Sequence, residues 1–437
     1  MGRLRYRKIL HGFSTRAILF LLSYISIPLL LNGMGLIRYS EFIYVAGLLN
    51  IINIFEFGNS NNLVELGARS HFAKERLKLL RLYLKKAKIL ATFAFFSTFL
   101  LLLIDFYIPL NPNGIPMNSD MRFSILVGVL GVGLNFVSNV YIKIRIAGRE
   151  HSSIMNIITI SSVITTFWVI VAAHFQDAIW PCVLLQFSLQ PILTIAILKG
   201  KRLLEICDQN ADTFKLPQDE LFAPHPIFKF FSLFTPIYLN IIVILFSRQA
   251  DYNLFSGAST FYRLTSIPLI FASFAWLNQL WVEIGEWKNL KRPDQIRKEI
   301  IRKVLQSFSL AIPFFSLISI FGAEIVSKWT NDTVRIDNVI VMQLSLLGLL
   351  QFIGVVPGAV MVVYRQTSVI IATHSIFLIS IIINYNIFQM DEKPLQIVPL
   401  LIFSEFFLVF LPNCIWIFWK LQVKCEQVTG GRFSFDD

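Results

Sequence analysis

Polar residues recur on one face of an apolar stretch near residues 41–62. On a helix these residues fall within an arc of about 120°: Asn50, Asn53, Glu56 and Ser60. A charged side chain inside a membrane span is costly, so Glu56 is a candidate for binding a proton or cation, or for pairing with a basic residue. The stripe is predicted to line a water-filled cavity; the alternative is hydrogen bonding between packed helices.

A second stripe, near residues 257–282, includes a cation. Its members are Ser259, Tyr262, Arg263, Ser266 and Ser273. No acidic residue shares this stretch with Arg263, so we expect the guanidinium to hold an anionic group such as a phosphate. The alternative is that Arg263 extends to the outer membrane interface, where its charge meets water.

Two other apolar stretches carry weaker candidates. A third stripe, predicted to line the same cavity, comprises Asn135, Ser138, Asn139 and Lys143. Glu405 lies near the middle of the last stretch and is a candidate for relaying a proton. For both, the alternative is a polar contact hidden within the helix bundle.

Twelve membrane-spanning helices are predicted to position these residues. Each of twelve apolar stretches is about as long as the roughly 20 residues that a helix needs to cross a bilayer. They lie near 14–34, 41–62, 87–108, 123–142, 153–174, 178–198, 228–247, 257–282, 305–325, 338–363, 368–388 and 395–419. Because 55% of the 437 residues are hydrophobic, we predict an all-α integral membrane protein with little structure outside the membrane.

Basic residues mark alternate gaps between the stretches and predict the orientation of the chain. Of the 39 Lys and Arg residues, only these fall on the less basic side: Arg38, Arg122, Arg248, Arg263, Lys328, Arg335 and Lys393. Cytoplasmic loops carry the Lys and Arg excess, so both termini are predicted to be cytoplasmic. The net charge of +12 follows from this asymmetry, and we predict no nucleic-acid partner.

Similar features about 218 residues apart predict two halves. Basic segments at 63–86 and 283–304 follow the second and the eighth stretches, and both are predicted to form amphipathic helices on the inner leaflet. We predict two six-helix halves related by an axis along the membrane normal. Their predicted bounds are 1–198 and 228–437, with a cytoplasmic linker at 199–227.

The start of the chain resembles that of bacterial O-antigen flippases of the Wzx type. The segment SIPLLLNGMGLIRYSEF (26–42) is similar to the family's first span and its exit, and FEFGNSNNLVELGA (55–68) to the Asp-x-Gly element that closes the second span. Glu56 and Gly58 occupy the positions of that element, with Glu in place of Asp. Ser40 stands where the family usually has Gly.

The second half carries a matching resemblance. The segments FSGASTFYRL (255–264) and LNQLWVEIGEW (277–287) are similar to the family's eighth span and its exit, with Val282 where Pro is common. The resemblance implies the fold of multidrug extrusion transporters and lipid II flippases, in which two six-helix lobes form a V-shaped cleft. It implies that Glu56 and Arg263 lie on opposing walls.

The resemblance also implies a substrate and a location. The substrate is an oligosaccharide repeat unit on undecaprenyl diphosphate, moved across the bacterial inner membrane to the periplasmic leaflet. Membrane lipids are expected partners, as are the polymerase and the chain-length regulator of the same pathway. Coupling to a cation is expected to involve Glu56 or Glu405.

Three other functions compete with this hypothesis, and one of them is a flippase for another lipid-linked polymer precursor. A cation-coupled multidrug antiporter on the same fold is expected to have carboxylates in its cleft and no lone arginine, which Arg263 argues against. A membrane polymerase or ligase is expected to have a large outer loop, and the longest outer gap here is only 105–122. The sequence has no nucleotide-binding loop, zinc signature or activated nucleophile, so we predict a transporter without a cofactor or metal.

Overall fold

The described part of the chain is built from helices and short connections. The computed structural model describes residues 2–56, 63, 73–107, 115–147, 150–200, 240, 246–247, 251–272, 293–363, 367–388, 397–417 and 419. In chain order the α-helices are α1 (Gly2–Ile52), α2 (Ala73–Tyr107), α3 (Ser119–Ala147), α4 (His151–Phe175), α5 (Trp180–Leu184), α6 (Gln190–Gly200), α7 (Tyr252–Ala272), α8 (Pro293–Trp329), α9 (Asn338–Val363), α10 (Thr367–Phe388) and α11 (Ile397–Ser404).

Many of these helices are suited to a bilayer. Within the described ranges, seven candidate spans are long and apolar enough to cross a membrane. They are Tyr24–Glu56, Arg76–Tyr107, Ser119–Ala147, Ser153–Phe175, Trp180–Leu198, Lys298–Trp329 and Val398–Ile417. The protein is therefore a helical, multi-pass membrane protein. The predicted seventh stretch lies almost entirely outside the described residues.

The first two predicted stretches are joined without a loop. Gly35 has φ 74° and ψ 168°, which is not helical, and it divides α1 into two helical parts. An L side chain rarely adopts such a positive φ, so glycine permits this abrupt change of direction. A four-residue 3₁₀-helix, Asn53–Glu56, ends the second part.

The structure corrects the prediction for the two basic segments. Their described parts are helical, but each continues without a break into the following apolar span, as α2 and α8. A helix of 35 or 37 residues is about 52–55 Å long, against about 30 Å of hydrocarbon. The described parts of the basic segments, 73–86 and 293–304, thus belong to the same helices as the third and ninth apolar stretches.

Contacts group the chain into two units. The first comprises Met1–Ser259 together with Trp329–Val334, and the second comprises Thr260–Lys328 together with Arg335–Asp437. In the first unit, α3 packs against α1, α2, α5 and α6. In the second, α9 and α10 pack against α11 and against each other. The linker predicted at 199–227 lies almost wholly outside the described residues and stays a prediction.

Helix features recur about 220 residues apart along the chain. Helices α2 and α8 begin at Ala73 and Pro293, and the two described π-helical segments, Leu185–Leu189 and Glu405–Phe410, follow α5 and α11. Buried positions recur in the same register on α3 and α9: Met121 and Val341, Ile125 and Ser345, Gly128 and Gly348, Val132 and Phe352, Phe136 and Val356.

Candidate functional site

Arg263 is less buried than its neighbours on α7. Every residue from 255 to 265 is buried except Arg263, which is half-buried. Small side chains in the segment SGAST (256–260) let other helices approach this helix closely. The one cation of the stretch 255–265 is therefore its least buried residue.

Buried polar contacts hold the turn of α7 that carries Arg263. Tyr262 is 4% exposed, and its hydroxyl lies 3.0 Å from Nε2 and 3.3 Å from Oε1 of Gln351 on α9. The Gln351 amide donates to this hydroxyl. Glu405, which is 5% exposed, acts electrostatically on Tyr262. Tyr262 and Gln351 thus form a buried polar contact between α7 and α9 of the second unit, and the charge of Glu405 acts on Tyr262.

Close helix packing reinforces this arrangement. A Cβ added at Gly348 would lie 2.9 Å from Cβ of Thr265 and 2.7 Å from Cε1 of Phe315, closer than side-chain atoms normally approach. Thr265 is fully buried, and its hydroxyl donates to the Tyr262 carbonyl at 2.8 Å. The residues on both sides of Arg263 therefore lie in a closely packed part of α7.

Glu405 also marks an irregularity in its helix. It is the first residue of the π-helical segment Glu405–Phe410, and Ser404 beside it lies within 2.9 Å of the Ser380 hydroxyl. π-Helical turns are frequent at functional sites because the inserted residue disturbs the regular ladder. A buried carboxylate at such a turn suits a group that changes its protonation or its partner.

In the first unit, the predicted residues Glu56 and Lys143 interact electrostatically. Glu56 ends the 3₁₀-helix after α1, Lys143 lies on the last turns of α3, and both side chains are half-buried. Their charges interact favourably. The sequence places the two residues in separate stripes, and the pairing of Glu56 with a basic residue stays a prediction.

The remaining predicted residues have varied surroundings. Asn135 and Asn139 lie half-buried on the same face of α3 as Lys143, one turn apart. Asn50 is exposed, and Asn53 donates to its carbonyl at 3.2 Å, which is a local contact. Ser60, and the side chain of Ser266 on α7, lie outside the described residues.

Several buried polar contacts were not anticipated from the sequence. Glu41 is 8% exposed and accepts a hydrogen bond from Asn118 at 2.8 Å. Asp105 is 4% exposed and pairs with Arg122 at 3.1 Å. The signal that could have found them is a charged residue at the end of an apolar stretch. Among the described residues, no group of three or more His, Cys, Asp or Glu side chains is placed to hold a metal ion.

Comparisons with known proteins identify the fold. No protein-family model matches the sequence, and no curated protein matches it significantly. The eukaryotic MATE transporter AtDTX14 is structurally similar at 14% identity, with a TM-score of 0.62 over 98% of this chain and 100% of that chain. The inward closed conformation of the lipid II flippase MurJ gives 12% identity and a TM-score of 0.62, over 98% of this chain and 93% of that chain.

A third structure belongs to the same group. It is a MOP superfamily transporter from Pyrococcus furiosus, described as having a binding pocket of reverse polarity that suggests a different function. It is 13% identical and matches with a TM-score of 0.58, over 94% of this chain and 96% of that chain. These similarities extend over nearly the whole of each chain and show that this protein has the fold of MATE-type transporters.

Proposed function

We propose that this protein is a flippase for a lipid-linked oligosaccharide. The substrate is an O-antigen repeat unit on undecaprenyl diphosphate, moved from the cytoplasmic to the periplasmic leaflet of the bacterial inner membrane. The observation that carries the proposal is Arg263, a half-buried cation fixed in an otherwise buried helix stretch, on a fold that a lipid II flippase also has.

The physical task explains why such a site is needed. A sugar and diphosphate headgroup cannot cross hydrocarbon unaided, because its polar groups would lose their hydrogen bonds to water. A guanidinium offers several donors in a fork that matches phosphate oxygens. The polar residues that share faces with Glu56 and Lys143 would shield the sugars, while the lipid tail stays in the bilayer.

The proposed architecture has twelve spans in two six-helix lobes around a V-shaped cleft, with both termini in the cytoplasm. Its support is the recurrence of helix starts, π-helical segments and buried positions about 220 residues apart. Lobes that rock about a site near the midplane would give alternating access. The inside-negative potential favours outward movement of an anion by roughly 2.3 kcal/mol per charge per 100 mV.

The proposal assigns cation coupling to buried carboxylates. Glu405 begins a π-helical turn and acts electrostatically on Tyr262, and Glu56 acts electrostatically on Lys143, so protonation of either carboxylate would change a local charge balance. The polymerase and the chain-length regulator that act on the same lipid-linked unit are proposed partners. The protein itself would catalyse no bond cleavage.

Deletion of the gene in its host tests this function. We expect surface polysaccharide to be lost and complete single repeat units to accumulate on the cytoplasmic face. Single units that reach the periplasm but stay unpolymerised would indicate a polymerase instead. Unchanged polysaccharide with intracellular accumulation of cationic drugs would favour the multidrug antiporter.

Complementation with Arg263 variants tests the site. Losing a charged hydrogen-bonding group from a binding site costs about 1.5–3 kcal/mol, so Arg263→Ala should reduce flipping about 10- to 100-fold at equal protein level. Arg263→Lys should retain part of the activity, because it keeps the charge but loses the fork. Arg335→Ala is the matched control, since Arg335 is exposed in a connection. Equal activity of the two alanine variants would contradict the proposed role of Arg263.

A further inference from the structure

Pro28 leaves a backbone carbonyl of α1 without its usual donor. In an α-helix the carbonyl of residue 24 accepts a hydrogen bond from the N–H of residue 28, which proline lacks. Pro28 lies inside α1, four residues after Tyr24. The Tyr24 carbonyl therefore loses the N–H of residue 28 as a donor, and in hydrocarbon an unsatisfied acceptor is costly.

Trp329 supplies the missing donor from a distant part of the chain. Its indole Nε1 donates to the Tyr24 carbonyl at 3.0 Å. Its ring also stacks on the Tyr24 ring, with the centroids 4.3 Å apart and the planes inclined by 9°. An indole is a donor only, so it matches a carbonyl that needs a donor, and the stacked ring adds apolar contact.

The residues after Trp329 form a connector with an unusual position in the fold. Trp329–Val334 links α8 to α9, but its contacts place it in the first unit, whereas the flanking residues belong to the second. Both ends of the turn are buried: Thr330 is 1% exposed and Val334 is fully buried. The Thr330 hydroxyl accepts a hydrogen bond from the Val334 N–H at 3.2 Å.

The middle of this connector is held in an unfavourable backbone conformation. Asn331 and Asp332, both exposed, have φ angles of 51° and 59°, in the left-handed region. Asn and Asp tolerate that region better than other non-glycine residues, yet two in succession are unusual. The buried ends must therefore stabilise the turn, and a release of Trp329 would let the backbone relax.

We propose that Trp329–Val334 is a latch that docks on the carbonyl freed by Pro28, and that the transport cycle requires its release. The docked state satisfies a half-buried acceptor, and release would relieve the left-handed turn. The latch recognises this site because proline at position 28 has no N–H to donate. The latch goes beyond the proposed function, since it depends on no particular substrate.

A double-mutant cycle tests whether Trp329 recognises the carbonyl freed by Pro28. Trp329→Phe keeps an aromatic ring but removes the N–H, and Pro28→Ala restores the donor within α1. We expect Trp329→Phe to lower the melting temperature of the purified full-length protein by a few degrees, and much less in the Pro28→Ala background. Equal effects in both backgrounds would overturn the proposal. Trp168→Phe, at an exposed tryptophan of α4, is the matched control.

Cysteine labelling tests release without any substrate. In a background that lacks the four native cysteines, Val334→Cys places a thiol where the docked latch buries it. Loss of one hydrogen bond should raise its rate of reaction with a water-soluble maleimide about fivefold in the Trp329→Phe variant. An unchanged rate would mean that the indole N–H does not hold the connector in place.

A cross-link tests whether release is part of the cycle. A short bifunctional thiol reagent would join Tyr24→Cys to Trp329→Cys in the same background, reconstituted in liposomes with a polyprenyl-diphosphate oligosaccharide. We expect flipping to stop in the cross-linked fraction and to return when a cleavable linker is cut; full activity of the cross-linked protein would contradict the latch. Failure of the unsubstituted protein to flip in the same liposomes would refute the proposed function instead, while labelling and the double-mutant cycle would still test the latch.

Discussion

Replacement of Gly131 by alanine tests the helix packing around the first π-helical segment. Gly131 lies on α3, fully within the core of the first unit. A Cβ at this position would lie 2.7 Å from the backbone carbonyl carbon of Phe187 and 2.8 Å from its oxygen. Ordinary contacts between carbon atoms are about 3.5–4.0 Å, so α3 and the segment Leu185–Leu189 would have to separate by about 1 Å.

The expected cost follows from what the new methyl group meets. Overpacking typically costs about 1–3 kcal/mol, and we expect about 3 here because a helix backbone cannot rotate away as a side chain can. Alanine recovers about 1 kcal/mol through its higher helix propensity. The net loss for Gly131→Ala is about 2 kcal/mol, or about 30-fold in the unfolding equilibrium.

Thermal unfolding of the purified full-length protein measures this effect. The matched control is Gly354→Ala on α9, where no heavy atom of the described residues lies within 4 Å of the new Cβ. We expect the melting temperature to fall for Gly131→Ala and to stay or rise for Gly354→Ala. If both variants shifted together, helix propensity rather than packing against Phe187 would control stability at Gly131, and the reasoning would be wrong.

Three further substitutions follow from the buried contacts, each measured by thermal unfolding. Tyr262→Phe leaves the buried Gln351 amide without its partner and should lower the free energy of unfolding by about 1–3 kcal/mol. Adding Gln351→Leu to this variant should recover part of that loss, and no recovery would argue against the contact. Asp105→Asn removes the carboxylate beside Arg122 and should lower the free energy of unfolding by about 2 kcal/mol. The double variant Asp105→Asn with Arg122→Met should lose less than the single variant. Gly33→Ala should destabilise the protein by about 1–3 kcal/mol, because its Cβ would lie 3.0 Å from backbone atoms of α4; unchanged stability would contradict this packing.

Local properties of the chain made the class of fold predictable. Apolar length alone indicates a membrane helix, because a bilayer leaves no water to satisfy an exposed backbone. The polar stripes were visible for the same reason, since a residue such as Arg263 is conspicuous in an apolar stretch. The fold of MATE-type transporters followed from a resemblance that carries few identical residues, and the structural comparisons support it at the level of the fold.

Helix boundaries were less predictable where a helix passes from hydrocarbon into water and its backbone stays helical. In the basic segment of α2, charge indicated the end of a span, and we expected a separate helix. A helix can instead continue from hydrocarbon into water without a break, because its own hydrogen bonds are satisfied in both. Neither π-helical segment has a local signature, since both depend on how neighbouring helices pack.

The sequence by itself determined that this protein is a helical membrane protein, which of its polar residues are costly to bury, and that Pro28 leaves one carbonyl without a helical donor. Only the tertiary structure decided which partners these groups have. Gln351 lies 89 positions from Tyr262, and Trp329 lies 305 positions from Tyr24. Periodicity predicts the face on which a residue lies, but the packing of distant helices selects the group it meets.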